Sequence, residues 1–172
     1  MGKCQTSSNL KAGVFMLSTL FYPTYILLAF ITVLLFIPQK DIKNYFIYGI
    51  LFGGLGDIIV VALFQNVFHF ISFKNAGIFS VLGQNLLSPP SWILTVMIYL
   101  RFLPHRKVFQ YPYVLAFGAF SVGYGYLVHN VGLFDFRPWF YPFFGYLTFA
   151  MWWATITWVF VKTSSLVQRN LV

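Results

Sequence analysis

The chain has 172 residues, of which 59% are apolar, 22% aromatic and only 8% charged. A soluble domain carries about a quarter charged residues, so this composition belongs to the bilayer class and excludes an ordinary soluble enzyme. Eleven Lys and Arg against three acidic residues, all Asp, give a formal charge of +8 and exclude chemistry that needs several carboxylates.

The length allows one helical bundle and leaves nothing over for a soluble module, so residues 1–172 are read as a single transmembrane domain. The cations are scattered among the connections, which suits anionic headgroups of a lipid bilayer and not nucleic acid, where a basic stripe is expected. Cys4 is the single cysteine and permits no internal disulfide.

Five apolar runs predict an all-α, polytopic membrane bundle. The first, 14–37, exceeds the roughly 20 residues that cross a hydrocarbon core. Lys3 and Lys11 precede it, but its length and the lack of an Ala-x-Ala exit predict a retained span over a cleaved leader. Met1-Gly2-Lys3-Cys4-Gln5-Thr6 fits the loose pattern for myristoylation, short enough to arise by chance. The second run, 45–68, is entered through the turn-like Pro38-Gln39-Lys40-Asp41 and contains Asp57.

The third run, 78–103, is interrupted by Gly83-Gln84-Asn85 and Ser88-Pro89-Pro90, which disfavour continuous helix. It reads as a Pro-broken span, either kinked or preceded by a re-entrant arm. Runs 113–134 and 140–161 complete the set, joined by Asp135-Phe136-Arg137-Pro138-Trp139. All five are apolar on both parities, unlike barrel strands.

An odd span count puts the termini on opposite sides. One side collects Lys3, Lys11, Lys74 and Arg137; the other collects Lys40, Lys43, Arg101, Arg106, Lys107, Lys162 and Arg169. The excess on the second side predicts a multi-pass cell-membrane protein with its N-terminus outside and its C-terminus cytoplasmic.

Small residues mark helix contacts in lipid, which singles out Gly49, Gly53 and Gly56 in the second span and Gly125 in the fourth, places those spans centrally and leaves the first towards lipid. Tyr22, Tyr45, Tyr111, Tyr113, Trp139 and Tyr141 lie near predicted span ends and read as headgroup anchors. Trp152, Trp153 and Trp158 fall deeper, where an indole donor seeks a partner or a cavity.

Asp57 is the sharpest feature, near mid-depth of its span. A carboxylate there costs about 2.5 kcal/mol or more on insertion scales, and such residues face a partner or a wet cavity. Gln65 and Asn66 further along the same span, Gln84 and Asn85 at the break in the third, and His129 with Asn130 in the fourth are its candidate partners. In this reading Asp57 carries charge or a proton, Asn85 binds with its amide, and His129 relays on the outer side, with His69 further along a vertical polar track. The alternative is an Asp57 that only ties helices together by hydrogen bonds.

Zinc wants about four ligands, whereas the spans offer Asp57, His129 and the marginal His69, so no metal site is expected. Haem through the two histidines lacks a supporting pattern, and no cofactor is expected. Ser121, His129 and Asp135 do not form a recognisable triad, and neither Gly-x-Ser-x-Gly nor a P-loop occurs.

Gly53-Gly54-Leu55-Gly56-Asp57, the Asn-bearing broken third span, Val131-Gly132-Leu133-Phe134 and Phe143-Phe144-Gly145-Tyr146 together resemble an uncharacterised family of small five-span integral membrane proteins from spore-forming bacteria. The resemblance covers about residues 49–161 and implies architecture alone. That family carries acidic residues in its fourth span about where Gly125 and His129 stand here. Pro89-Pro90-Ser91-Trp92 faintly resembles a segment of translocator-type porphyrin and sterol binders, without their surrounding motif.

The leading expectation is binding or passage of a small ligand, proton or cation through a buried polar site around Asp57. The alternatives are a non-catalytic assembly subunit that docks a membrane partner or a second copy of itself, and a membrane-embedded lipid or isoprenoid enzyme, for which a complete catalytic constellation is lacking.

Overall fold

The computed structural model describes residues 2–74, 80–81, 84–164 and 166, with side chains placed from residue 19 onward. The side chains of the acylation motif, of Lys3, Lys11 and Arg169, and of Gln84 lie outside what is described. The chain is mostly helical, with α1 (Gly2–Phe36), α2 (Gln39–Val67), α3 (Ser88–Arg101), α4 (Lys107–Asn130) and α5 (Phe143–Thr163). Three helical stretches are long and apolar enough to cross a membrane: Thr19–Phe36, Gln39–Val67 and Phe143–Thr163. α3 has 14 residues, a rise of about 21 Å against a hydrocarbon core of about 30 Å.

Helix boundaries follow local chemistry. Pro38 separates α1 from α2, so the segment expected to be a turn is instead the first turn of α2, where Asp41 meets the positive end of the helix dipole. Pro89 and Pro90 do not break a third helix; they start α3, in its first turn, where a missing N–H would have no helical partner in any case. α4 ends at Gly132, whose φ of 76° suits glycine. There Gly132 N donates to His129 O at 2.9 Å and Leu133 N to Val128 O at 3.1 Å, closing the helix in a Schellman turn.

Two short antiparallel ribbons occupy the connections, a feature the apolar runs did not announce. β1 (Ile71–Phe73) pairs with β4 (Phe134–Phe136) in the register Ile71 to Phe136, and β2 (Ser80–Val81) pairs with β3 (Gln84–Asn85). The first ribbon ties the chain leaving α2 to the chain between α4 and α5. At the opposite end Arg101 Nε donates to Phe36 O at 2.7 Å, and Tyr48 Oη shares a hydrogen bond with Thr163 Oγ1 at 2.9 Å.

α3 is the central element, which corrects the expectation that the second and fourth spans hold the middle. Val96, Met97, Tyr99 and Leu100 are almost wholly buried. Tyr99 is packed by Trp153 at 4.3 Å, Phe117 at 4.7 Å and Tyr113 at 5.0 Å between ring centroids. Its hydroxyl is bonded to Thr157 Oγ1, and Trp153 Nε1 donates to Ser121 Oγ at 2.9 Å. α1 buries the stripe Tyr22, Ala29, Val33 and Ile37, while Leu27, Leu28, Leu34 and Leu35 point outward. Ile58 and Ile59 on α2 and Met151 and Trp158 on α5 are likewise exposed, an apolar exterior suited to lipid.

The glycines of α2 set how closely helices approach. A Cβ at Gly49 would sit 3.0 Å from Ile93 O, and one at Gly53 would run into the carbonyl of Trp92. Gly56 lies beneath the Trp152 ring, and Gly125 faces the Tyr141 hydroxyl. Gly123, by contrast, has open space around it. Gly53→Ala is therefore expected to lower stability to unfolding in detergent by about 1–3 kcal/mol, because a backbone neighbour cannot rotate away. Gly123→Ala, at an open helical site, should be neutral or stabilising by up to about 1 kcal/mol. Equal stability of the two variants would refute the close contact.

Candidate functional site

The close contact at Gly53 leaves a gap one turn further along. Within α2 the stretches Gly49–Leu55 and Leu63–Val67 have the wider π-helical hydrogen bonding, a geometry common beside functional sites. Between them Asp57 turns into a cavity of about 120 Å³, comparable with an engineered protein cavity of about 150 Å³ that binds benzene. α2 supplies Phe52, Gly53, Gly56, Asp57, Val60 and Phe64 to its wall. Tyr22 closes it from α1, Ser88 and Trp92 from α3, and Ser121, Tyr124 and Gly125 from α4. Thr148, Phe149 and Trp152 of α5 form the facing wall, and Ile71, Phe73 and Phe134 of the β1–β4 ribbon lie at the other end.

The lining is largely aromatic. Trp92 stacks on Phe149 with centroids 5.8 Å apart, Trp92 meets Tyr124 edge-on at 5.8 Å, and Phe52 meets Trp152 edge-on at 6.0 Å. Asp57 is the one acidic or basic residue in the wall.

Most buried hydroxyls around the cavity spend their protons locally. Ser91 Oγ donates to Leu87 O at 2.7 Å, Thr95 Oγ1 donates to Ser91 O at 2.7 Å and takes the Tyr25 hydroxyl proton at 2.8 Å, and Ser121 Oγ donates to Phe117 O at 2.9 Å. Tyr124 Oη is different. It is buried close to Tyr22 and Ser91 and meets no partner in good hydrogen-bond geometry. A buried hydroxyl without a partner forfeits its desolvation cost unless something else enters to bond it.

Of the residues singled out from the sequence, Asp57, Gly53, Gly56 and Gly125 border the cavity, while Gly49 packs on Ile93 just outside it. Asn85 is buried but not in the wall; its Oδ1 accepts from Leu87 N at 2.9 Å and shapes the turn into α3. Asn130 is exposed at the end of α4. His129 belongs to the connection between α4 and α5: its Nδ1 lies 2.9 Å from Phe134 O and 3.6 Å from Asp135 Oδ1, and its ring packs on Phe136. His69, at a φ of 54°, bonds Gln65 O at 2.8 Å and is exposed. Neither histidine lines the cavity, so no track of these side chains leads out from Asp57. Among the described residues no three His, Cys or carboxylate groups converge on a metal position.

Tyr22, Ser88, Tyr124 and Thr148 were not among the sequence candidates. Tyr22, read as a headgroup anchor, is 3% exposed, because α1 begins well before it and its face belongs to the Ala29 and Val33 stripe. Tyr45 and Tyr141 are likewise buried, whereas Tyr111 and Trp139 are exposed as anchors should be. Spacing along α1 holds the signal for Tyr22; for Tyr124 no sequence signal separates it from the other tyrosines.

No family model, curated protein or solved structure matches this chain. None of these comparisons bears on the resemblance to the spore-former family.

Tyr124→Phe should leave stability unchanged or raise it by about 1 kcal/mol, since it removes a buried hydroxyl that bonds nothing; thermal unfolding in detergent reads this, and a loss of 1 kcal/mol or more would mean the hydroxyl has a structural partner. Outside the bundle, the hydrogen bond from Lys74 Nζ at 2.5 Å holds the Asp135 carboxyl below the usual carboxylate range. A depressed folded-state pKa gives stability that is present above the unfolded value and lost as pH falls through the folded one. The stability difference between wild type and Asp135→Asn should hold steady from neutral pH to about 4 and shrink below it. At 39% side-chain exposure for Asp135 that difference stays under about 1 kcal/mol.

Proposed function

We propose that this chain is a five-span protein of the cell membrane, N-terminus outside and C-terminus cytoplasmic, that binds or passes a small ligand, proton or ion at the Asp57 cavity. The observation that carries the reading is the cavity itself: the Asp57 carboxylate, inside an apolar helix, borders an aromatic-walled space. A residue placed only to tie helices would not need the space.

The architecture is supported by how the helix ends group. Lys74 and Arg137 flank the β1–β4 ribbon at one end, while Arg101 reaches the end of α1 at the other, the grouping that the basic residues require. α3, with 14 residues, is too short to cross alone, so a third crossing needs chain beyond it. The glycine faces argue against an assembly role: Gly49 and Gly53 are spent on α3 of the same chain, and Gly56 on Trp152.

Purified protein reconstituted into vesicles is expected to take up protons or monovalent cations in a saturable way that Asp57→Asn abolishes, with the variant's circular dichroism unchanged. Uptake equal in the two proteins would overturn Asp57 as the carrier, and uptake absent from both would overturn passage of protons or inorganic cations. For topology, Lys40→Cys, Lys74→Cys, Arg106→Cys and Arg137→Cys in a Cys4→Ser background should react with an impermeant thiol reagent on whole cells only at 74 and 137. Labelling at 40 or 106 would overturn the five-span order.

A further inference from the structure

We propose that the occupant of the cavity is a small organic ammonium ion with an apolar body, its N–H groups donated to the Asp57 carboxylate and its body held against Trp92, Phe149 and Trp152. The inference rests on the ligand-binding reading above and names the chemical class of the ligand.

Three features of the wall select that class. First, the only formal charge there is negative, in a chain whose net charge is +8 and whose described cations sit in the connections and at helix ends. An anion would meet no counter-charge in the wall. Second, the Trp92, Phe149 and Trp152 rings present π faces and edges to the space, and a cation close to such faces is attracted by the ring quadrupole, most strongly where water is excluded. Third, the Ser121 and Thr148 hydroxyls of the wall donate to the Phe117 and Phe144 carbonyls, so their protons are not offered to an anionic ligand.

A divalent metal ion fits worse, because calcium takes six to eight oxygen ligands and magnesium a near-ideal octahedron, whereas this wall is mostly carbon. The volume, about 120 Å³, limits the body to about one ring, by comparison with the benzene-binding cavity. Benzylamine, protonated at neutral pH, matches in size and charge, and benzyl alcohol is its neutral counterpart of nearly the same shape.

Isothermal titration of the full chain in non-ionic detergent, with empty micelles as the blank, should show benzylamine binding at least tenfold more tightly than benzyl alcohol, a preference worth about 1.4 kcal/mol. Asp57→Asn should erase the preference while leaving benzyl alcohol binding in place. Equal affinity of the wild type for both probes would overturn the ammonium assignment and leave a neutral-ligand site standing. Binding of neither probe would also overturn the assignment, and the reading beneath it would then stand or fall on the separate uptake measurement.

Discussion

The contact between Gly53 and the backbone of Trp92 is the constraint on which the site depends. With no side chain at position 53, α2 lies directly on the α3 main chain. That approach sets the rotation of both helices at once, turning the Trp92 ring and the Asp57 carboxylate, one turn on, into the same space. Gly56 repeats the device under Trp152, so the indole can lie flat across the helix as cavity wall. In lipid, where apolar side chains gain nothing by leaving one another's company for the solvent, such close packing at small residues is a main source of helix association.

α3 can occupy the centre because its polar groups are settled among its neighbours. Ser91 and Thr95 return their protons to carbonyls one turn back, Tyr99 reaches Thr157, and the Tyr113 hydroxyl donates to Tyr99 O at 2.9 Å. In a medium that offers no water, unpaired polar groups cost several kcal/mol each, so this pairing is what permits a hydroxyl-bearing helix to be the most enclosed one. Against that background Tyr124 stands apart: its ring borders the cavity while its buried hydroxyl meets no partner in good geometry.

The β1–β4 ribbon covers one end of that space. Ile71, Phe73 and Phe134 contribute to the wall while Lys74 and Asp135 pair at its solvent edge. The Schellman turn at Gly132 directs the chain from α4 into β4, so a backbone device at the end of one helix positions part of the cavity wall. His129, joined to this connection through Phe134 O, acts on the ribbon and not on Asp57.

Composition alone pointed to lipid, since apolar runs this long with so few charges are poorly solvated, and the runs located the C-terminal ends of five helices to within a few residues while missing most of their starts by six or more. Asp57 was also legible, because a carboxylate inside an apolar run is costly wherever the run packs. Facing was not legible. Helices apolar on all sides carry no stripe to say which side turns inward, so Tyr22 read as an anchor and Tyr124 as one tyrosine among eleven. Nor could the sequence tell that Pro89 and Pro90 open a short helix, since proline both interrupts helices and starts them. Only the tertiary structure decided that α3 holds the middle, that Asn85 shapes a turn and His129 a ribbon, and that Asp57 and Tyr124 share one space. Each of those depends on which surfaces meet, and the meeting is set by contacts between residues far apart in the chain.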